Sequence, residues 1–467
     1  MDDLTSQSAS RLVELIRNQS LSPVEIVQAY LRRIEQFNPT LNAIVTIDSE
    51  AIEKARRAEA AVIRGDLKGS LMGLPLTIKD TIETAELRST SGSSRRAQFV
   101  PERDATAVSR LRGAGAIIIG KTNAAEMAMD YTADNPVFGR TSNPHDLRRT
   151  PGGSSGGEAA AISARLSPCG LGSDLAGSIR IPAHFCGIAG LKPGTGRIPG
   201  DGQYPPSIGP YALGSAVGPM ARKVEDLHLL FNVLTGDIEF PKTNSLQQQM
   251  RGERVAWYAE DDISPVTKET MQAVENAAGA LAEAGLVVEH RRPPGIERGY
   301  DLWLKLFSRA SVVQLREVYG GHEEEAGGFV RWRLATADEA PTVSLDDYIR
   351  HWMERDRLRE QLVQWMEHTA HLLLAPVGAT AALEHDAHKV TVAGQTFGAF
   401  RAFSYSQTFN VFDLPSVSVP AGRSAEGLPI GVQVVGRPFA EQAVLGAAAI
   451  IEEALGGWRP PVAFDRL

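Results

Sequence analysis

Short apolar runs and helix-like patterns alternate along the first part of the chain. The runs at 74–78 and 116–120 are continuous and apolar, which is typical of buried strands, and 105–113 between them has the pattern of a helix. Further strands are predicted around a helix at about 266–284 and near the end of the chain, at 253–258, 286–290, 373–376, 416–419 and 430–435. This alternation predicts an α/β protein.

Helix signals flank this pattern. Ser22-Pro23-Val24-Glu25 is a capping box with proline at the first helical position, so a helix should begin here and run to about Phe37. Asn38-Pro39 is predicted to stop it. The remaining helices are predicted at about 49–64, 155–164 and 440–455, and most of 297–372 is helical in pattern.

Composition agrees with a soluble globular protein. The chain has 467 residues, 43% of them hydrophobic and 22% charged, and a formal net charge of −8. That is enough for a large core, and it gives no basic surface for nucleic acid. With no run of 18 apolar residues, no membrane span is expected, and the polar start MDDLTSQSAS is not expected to be a signal peptide. Cys169 and Cys186 are too few for a disulfide framework and fit a reducing cytoplasm.

The stretch 151–182 is rich in glycine and serine. It holds Ser154 and Ser155 in GGSSGG and Ser178 in AGSIR. Each glycine costs a helix about 1 kcal/mol relative to alanine, so this density indicates positive φ or a close backbone approach. A flexible linker and a phosphate loop remain alternatives, although the Walker pattern and a strict GxSxG elbow are both absent. The stretch favours a serine nucleophile beside tightly turned amides, as acyl transfer requires.

A serine nucleophile needs a base. Lys79 ends the apolar run LPLTIK, where burial would lower the pKa of its amine toward neutrality. An ion pair between Lys79 and Asp80 is the plain alternative. His184, in IPAHFCG, is better interpreted as a packed loop histidine than as the base of a Ser-His-Asp triad, and neither cysteine has a matching histidine.

Several motifs together resemble the amidase signature family. They run from about Lys79 to Gly436 and occur in the family's order: GLPLTIKD, GKTNAAEM at 120–127, GGSSGGEAAA at 152–161, GLGSDLAGSIRIPAHFCGIAGLKP at 170–193, VGPMARKVEDL at 217–227, FNVFDLPSVSVPAG at 409–422 and GLPIGVQVVG at 427–436. The resemblance implies a Ser-cisSer-Lys triad. Ser178 would be the nucleophile, Ser154 the bridging serine after a cis peptide bond, and Lys79 the neutral base.

The resemblance also implies an oxyanion hole made of the amides of Leu175, Ala176, Gly177 and Ser178. The family usually has two glycines before the nucleophile, and here the first of them is Ala176. If residue 176 needed positive φ, alanine would be strained by about 1–2 kcal/mol. Asp174 and Arg180 are predicted to form an ion pair that holds the turn.

The implied fold is an α/β/α sandwich, in which a large mixed, twisted β-sheet of about ten strands is flanked by helices on both faces. We expect one domain over 1–467, with N-terminal helices at 1–65, a catalytic core at 66–240 and a helical insertion at 295–372 that covers the pocket. The low-structure segment 194–215 is predicted to form a rim of that pocket. The predicted substrate-binding residues are Met127, Tyr131, Gly153, Ser155 and Tyr204.

No metal or cofactor is expected. His368 and His371 lie three apart in a predicted helix, and 384–388 (EHDAH) gathers four possible ligands, but helix packing and an exposed loop explain them better. His322-Glu323-Glu324-Glu325 is predicted to be a solvated loop.

The predicted function is hydrolysis of C–N bonds in small, apolar or aryl amides through an acyl-enzyme, with carbamates and esters as further substrates. The alternative is the glutaminase (A) subunit of a tRNA-dependent amidotransferase, a member of the same family. That subunit has an acid about seven residues before the Asn of its NLAGLP motif, where this chain has Phe403. An apolar residue there disfavours charged glutamine. The expected partner is a small-molecule substrate, and the sequence leaves a homodimer open.

Overall fold

The computed structural model describes residues 3–236, 243–337, 339 and 343–465. The predicted domain ends at 1, 240 and 467 lie outside these residues, as do residues 338 and 340–342 of the predicted helical insertion. Its helices are α1 (Ala9–Arg17), α2 (Pro23–Leu41), α3 (Ala51–Ile63), α4 (Thr106–Gly113), α5 (Gly156–Ser163), α6 (Arg180–Cys186), α7 (Val224–Thr235), α8 (Thr243–Gln249), α9 (Lys268–Glu283), α10 (Gly299–Trp303), α11 (Arg309–Tyr319), α12 (Gly328–Ala337), α13 (Leu345–His368), α14 (Ser404–Val411) and α15 (Glu441–Leu455).

Strands alternate with these helices as predicted. They are β1 (Ile44–Ile47), β2 (Pro75–Lys79), β3 (Ile117–Thr122), β4 (Cys169–Asp174), β5 (Ala189–Lys192), β6 (Ala216–Ala221), β7 (Arg254–Trp257), β8 (Val287–His290), β9 (Leu372–Pro376), β10 (Lys389–Val392), β11 (Gln395–Gly398), β12 (Ser416–Arg423) and β13 (Pro429–Gly436).

Within the described residues, eleven strands form one mixed sheet in the order β1-β3-β2-β4-β6-β5-β12-β13-β9-β7-β8, and β10 and β11 form a separate hairpin. Strand β2 runs parallel to both β3 and β4, which places it inside the sheet. Its five residues, from Pro75 to Lys79, are all buried. The prediction of a large mixed sheet of about ten strands is therefore confirmed.

Helices cover both faces of the sheet, as the pattern of β13 demonstrates. Ile430, Val432 and Val434 belong to the large core that also holds apolar residues of α7, α9 and α15. Gln433, which alternates with them, faces the other way and accepts a hydrogen bond from Arg180 of α6 at 2.8 Å. The sandwich predicted from the sequence is confirmed.

One predicted boundary is wrong. Helix α2 does not stop at Phe37 but continues through Pro39 to Leu41. Proline removes only one amide donor from this last turn. The helix ends instead at Asn42, which takes the left-handed conformation and donates its N–H to the Asn38 carbonyl at 2.7 Å.

Candidate active site

Lys79 is the last residue of β2, and its amine is completely buried. Its Nζ lies 2.7 Å from Ser154 Oγ and 3.0 Å from Ser173 Oγ. Burial lowers the pKa of Lys79 to about 7, although Asp174 and Glu158 act in the opposite direction. A substantial fraction of the amine is therefore neutral near pH 7, as a base requires.

The predicted alternative, an ion pair between Lys79 and Asp80, is not formed. The Asp80 carboxylate is fully buried and accepts hydrogen bonds from the amides of Thr90 and Gly92 and from the Thr90 hydroxyl, at 2.6–3.3 Å. Asp80 therefore organises the loop that follows β2 and leaves the amine to the two serines.

Ser154 follows a cis peptide bond with Gly153. Gly153 packs against the backbone of Thr132, and a Cβ at this position would lie 2.1 Å from the Thr132 carbonyl oxygen. Only glycine fits here, which explains one glycine of GGSSGG. Helix α5 begins two residues after Ser154, at Gly156, so the serine lies where the turn enters the helix.

Ser178 lies in the tight turn between β4 and α6. The predicted Asp174–Arg180 ion pair is confirmed at 3.0 Å, with both side chains fully buried. Asp174 also accepts the amides of Gly177 at 2.8 Å and Ile179 at 3.0 Å. Although burial alone would raise it, Arg180 holds the pKa of Asp174 well below its usual value. The Asp174 carboxylate thus stabilises the turn that carries Ser178 through charge-assisted hydrogen bonds.

The peptide groups before Ser178 differ in their hydrogen-bond partners. The Leu175 carbonyl accepts the indole N–H of Trp303 at 3.0 Å, and the Ala176 carbonyl accepts the hydroxyl of Tyr131 at 2.6 Å. The Gly177 amide is committed to Asp174. In the part of the chain that the structure describes, the amides of Leu175, Ala176 and Ser178 donate to no protein group.

Positive φ falls on Gly177, at 103°, and not on Ala176. A Cβ on Gly177 would also lie 2.6 Å from Ile181 Cδ1 and 2.7 Å from Ser406 Cβ. The turn thus requires glycine at position 177 and accepts alanine at position 176. The strain considered for Ala176 therefore does not arise.

His184 has no free ring nitrogen. The residue lies within α6 and not in a loop as predicted. Its Nδ1 accepts the Gly431 amide at 2.6 Å, and its Nε2 lies 2.9 Å from the Thr380 carbonyl oxygen. Burial lowers its pKa to about 4. Cys169 and Cys186 are buried free thiols whose pKa values burial raises well above the usual range, so neither forms a thiolate.

A cavity of about 260 Å³ opens at Ser178. Of the predicted substrate-binding residues, Met127 and Tyr131 line it. Gly153, Ser155 and Tyr204 do not. Ser155 is fully buried behind the turn, and Tyr204 packs its ring under the guanidinium of Arg96 at 3.8 Å. From the predicted rim, the lining residues are instead Gln203, Pro205, Tyr211 and Ser215.

Aromatic rings that the sequence motifs did not mark form one wall of the cavity. The ring of Phe400 stacks on that of Tyr131, with 4.4 Å between the ring centroids. The rings of Trp303 and Phe329 also contact Phe400, with centroids 5.8 and 6.2 Å from its centroid. Trp332 lines the same cavity and is 57% exposed. These residues come from segments far apart in the chain, and no spacing in the sequence links them.

Two charged side chains, Asp130 and Arg333, also line the cavity. Asp130 accepts the amide of Tyr131 at 2.7 Å and the hydroxyl of Thr132 at 2.9 Å, and burial raises its pKa. Arg333 donates to the carbonyl and hydroxyl of Ser308 and, at 3.4 Å, to the hydroxyl of Ser311. Neither forms an ion pair with any other described residue.

The histidine-rich segments have other contacts. His371 Nδ1 lies 2.6 Å from Glu253, and His368 Nδ1 lies 2.7 Å from the Gln364 carbonyl oxygen. At 384–388, His385 contacts the Leu147 carbonyl and Asp386 pairs with Arg140. Among the described residues, only His322, Glu324 and Glu325 bring three ligand atoms within 4.8 Å of one another, and all three are exposed, as predicted for a solvated loop.

Comparison with known proteins extends over almost the whole chain. A family model described as Amidase matches residues 25–445. The chain is 30% identical to human fatty-acid amide hydrolase 2, over 98% of this chain and 90% of that one. It is 32% identical to the glutamyl-tRNA(Gln) amidotransferase (A) subunit of Carboxydothermus hydrogenoformans, over 96% of each.

Structural similarity agrees with the sequence comparison. A bacterial aryl acylamidase of the amidase signature family superposes with a TM-score of 0.84 at 28% identity, covering 96% of both chains.

No helix in the described residues is long and apolar enough to span a membrane.

Proposed function

Because this chain belongs to the amidase signature family and is an amide-hydrolysing enzyme, we propose that it cleaves the C–N bonds of small, apolar or aryl amides through an acyl-enzyme on Ser178. Lys79 is the base and Ser154 is the bridging serine. The observation that carries this proposal is the 2.7 Å contact between Ser154 Oγ and the fully buried amine of Lys79.

Acylation needs one proton to move along the relay. Neutral Lys79 takes the proton of Ser154, and Ser154 takes the proton of Ser178 as Ser178 Oγ attacks the amide carbonyl. When the C–N bond breaks, the proton returns by the same path to the leaving nitrogen. In the described residues no hydrogen bond joins the two serine hydroxyls, so the Ser154–Ser178 step depends on a contact made with substrate bound.

The negatively charged oxygen of the tetrahedral intermediate must be stabilised by hydrogen-bond donors. We assign this role to the amides of Leu175, Ala176 and Ser178, since they donate to no protein group among the described residues. Gly177, whose amide donates to Asp174, contributes its conformation rather than a donor. Deacylation follows when water attacks the ester and the relay takes the water's proton.

The lining of the cavity supports the proposed substrate class. Its wall of Tyr131, Phe400, Trp303 and Phe329 offers flat apolar surfaces to an acyl or aryl group. The stretch 295–372 supplies Trp303 and Phe329, and we propose that it forms the cover of the pocket. Carbamates and esters should react as well, because they pass through the same tetrahedral geometry. The buried free thiols favour a cytoplasmic location.

The second candidate is a glutaminase subunit of an amidotransferase. It is supported by the similarity to such a subunit from Carboxydothermus hydrogenoformans and by the two unpaired charges of the cavity, Asp130 and Arg333. Against it, Phe403 is fully buried, with its ring 5.2 Å from that of Tyr131 and 5.5 Å from that of Phe185. An acid in this apolar place would be costly.

Turnover on a panel of p-nitroanilides tests the proposal. The panel carries acetyl, butyryl, benzoyl, γ-glutamyl and carbamate donors, and Ser178→Ala is the inactive variant. Ser155→Ala is the matched control, because Ser155 neighbours the relay but lies behind the cavity. We expect release from butyryl and benzoyl donors, lost in Ser178→Ala and retained in Ser155→Ala. Full activity of Ser178→Ala would refute the nucleophile, and turnover of the γ-glutamyl donor alone would favour the glutaminase.

A further inference from the structure

A fully buried carboxylate lies beneath the proposed base and has no part in the relay described above. Glu158 is in the first turn of α5 and has no exposed surface. Its Oε1 accepts the hydroxyl of Thr77 at 2.5 Å, and its Oε2 accepts the hydroxyl of Thr122 at 2.7 Å. It forms no ion pair with any residue that the structure describes.

Both threonines lie next to Lys79 in the sheet. Thr77 precedes Lys79 by two positions on β2, so the two side chains leave the same face of the strand, about 7 Å apart. Thr122 is the partner of Lys79 in the parallel pairing of β2 with β3. The Glu158 carboxylate is therefore fixed to the two residues that flank the base.

The sheet makes room for this carboxylate. On β4, Gly170 pairs with Thr77, and a Cβ on Gly170 would lie 2.0 Å from Glu158 Oε1. Any larger residue at 170 would displace the carboxylate. The arrangement thus involves three adjacent strands and a helix, with a glycine where the space is needed.

We propose that Glu158 is a positioning residue for Lys79: its buried carboxylate, held by Thr77 and Thr122, sets the balance between the charged and neutral forms of the base. The proposal rests on the assignment of Lys79 as the base. A negative charge near the amine favours the ammonium form. Glu158 therefore raises the pKa of Lys79, in opposition to burial, which lowers it.

Other charges face the same region. Lys121 on β3 attracts Glu158, but its Nζ donates to the Ile82 carbonyl and to the hydroxyls of Thr84 and Ser89, on the side away from Thr122. Asp174, at the end of β4, also favours the charged form of Lys79. Burial raises the pKa of Glu158 to about 7, so the carboxyl and the amine change charge over the same pH range.

Glu158→Gln tests the proposal, because it removes the charge and keeps the size of the side chain. The amide oxygen can still accept one threonine hydroxyl, and the NH2 group can donate to the oxygen of the other threonine. The measurement is the rate of inactivation by an alkyl fluorophosphonate between pH 5 and 9, which requires no knowledge of the substrate. Ser178 Oγ attacks phosphorus, fluoride leaves, and the serine proton passes through Ser154 to Lys79. The rising limb of the profile reports the loss of the Lys79 proton.

We expect Glu158→Gln to move this limb to lower pH by about one unit. One unit below the wild-type midpoint, the variant then retains a larger fraction of its own maximal rate than the wild type does. Damage to the fold would lower the whole profile without this shift. Glu452→Gln is the matched control, since burial also raises the pKa of Glu452 to about 7 but its carboxylate binds the Val224 amide, away from the site.

A second variant keeps the test open if Glu158→Gln does not fold. Thr122→Val removes one hydrogen bond to the carboxylate, so Glu158 stays protonated to higher pH and the limb should move in the same direction, by less. A midpoint unchanged in both variants, or shifted equally in Glu452→Gln, would overturn the proposal. If instead Lys79→Ala reacts like the wild type, the relay itself is wrong, which is a different outcome.

Discussion

The hydroxyl of Tyr131 donates to the carbonyl oxygen of Ala176 at 2.6 Å, which joins the wall of the cavity to the turn that precedes the nucleophile. The same hydroxyl accepts the side-chain amide of Gln407 at 2.7 Å. The Ala176 carbonyl shares its peptide plane with the Gly177 N–H, which points the opposite way and donates to Asp174 at 2.8 Å. Tyr131 therefore fixes the peptide between Ala176 and Gly177, which lies next to the proposed oxyanion donors, and also lines the pocket.

Tyr131→Phe tests this link. The substitution leaves the ring and removes both hydrogen bonds of the hydroxyl, each worth about 1 kcal/mol, so the turn loses part of its fixed orientation. We expect kcat on the best p-nitroanilide to fall about tenfold, with little change in KM. Tyr405→Phe is the matched control, because that hydroxyl binds the Ala259 and Ser264 carbonyls away from the turn. An equal loss in both variants would mean that the effect is general.

The two residues before Ser178 should respond very differently to exchange of alanine and glycine. Gly177→Ala places a Cβ at positive φ and against Ile181 and Ser406, so we expect kcat/KM to fall by at least about 100-fold. Ala176→Gly relieves no strain, because Ala176 has no positive φ, and its rate should stay within about threefold. Equal activity of the two variants, measured on protein of matched thermal stability, would contradict this account of the turn.

The sequence predicted the features that are determined by short motifs of neighbouring residues. Motifs marked Lys79, Ser154 and Ser178, and the contact between Lys79 and Ser154 agrees with the roles given to them. The pocket wall was largely missed, since Phe400, Trp303 and Arg333 meet only after segments distant in sequence fold together. Tyr204 was chosen for its residue type and its loop, and the structure instead stacks it with Arg96. Residue type alone does not tell which way a side chain points.

Activity should rise with pH through about 7. Lys79 acts as a base only when it is neutral, and burial lowers its pKa from the usual 10.5 to about 7. Below that pH, kcat/KM should fall about tenfold per unit, because the protonated fraction grows, and above it the rate should level off. A pH profile on a neutral p-nitroanilide checks this. A plateau reached only above pH 10 would mean that the amine keeps an ordinary pKa.

Lys79→Met should remove this dependence together with almost all turnover. Methionine fills the same space without a proton acceptor, so Ser154 has no base within reach. A variant that retains the wild-type rate would exclude the relay, whatever the pH profile of the wild type.

Arg333 places a positive charge in the otherwise largely apolar cavity. Its guanidinium lines the cavity and donates to Ser308 and Ser311, but no carboxylate among the described residues pairs with it. An acyl donor that ends in a carboxylate could therefore pair with it, and a charged hydrogen bond is worth about 1.5–3 kcal/mol. We expect the glutaryl p-nitroanilide to be hydrolysed within about tenfold of the rate of its neutral pentanoyl counterpart. Arg333→Gln should lower kcat/KM for the glutaryl donor at least about tenfold and leave the pentanoyl donor within about threefold. Equal losses on both donors would assign Arg333 to the packing of Ser308 and Ser311, and no loss on either would place substrates away from this end of the cavity.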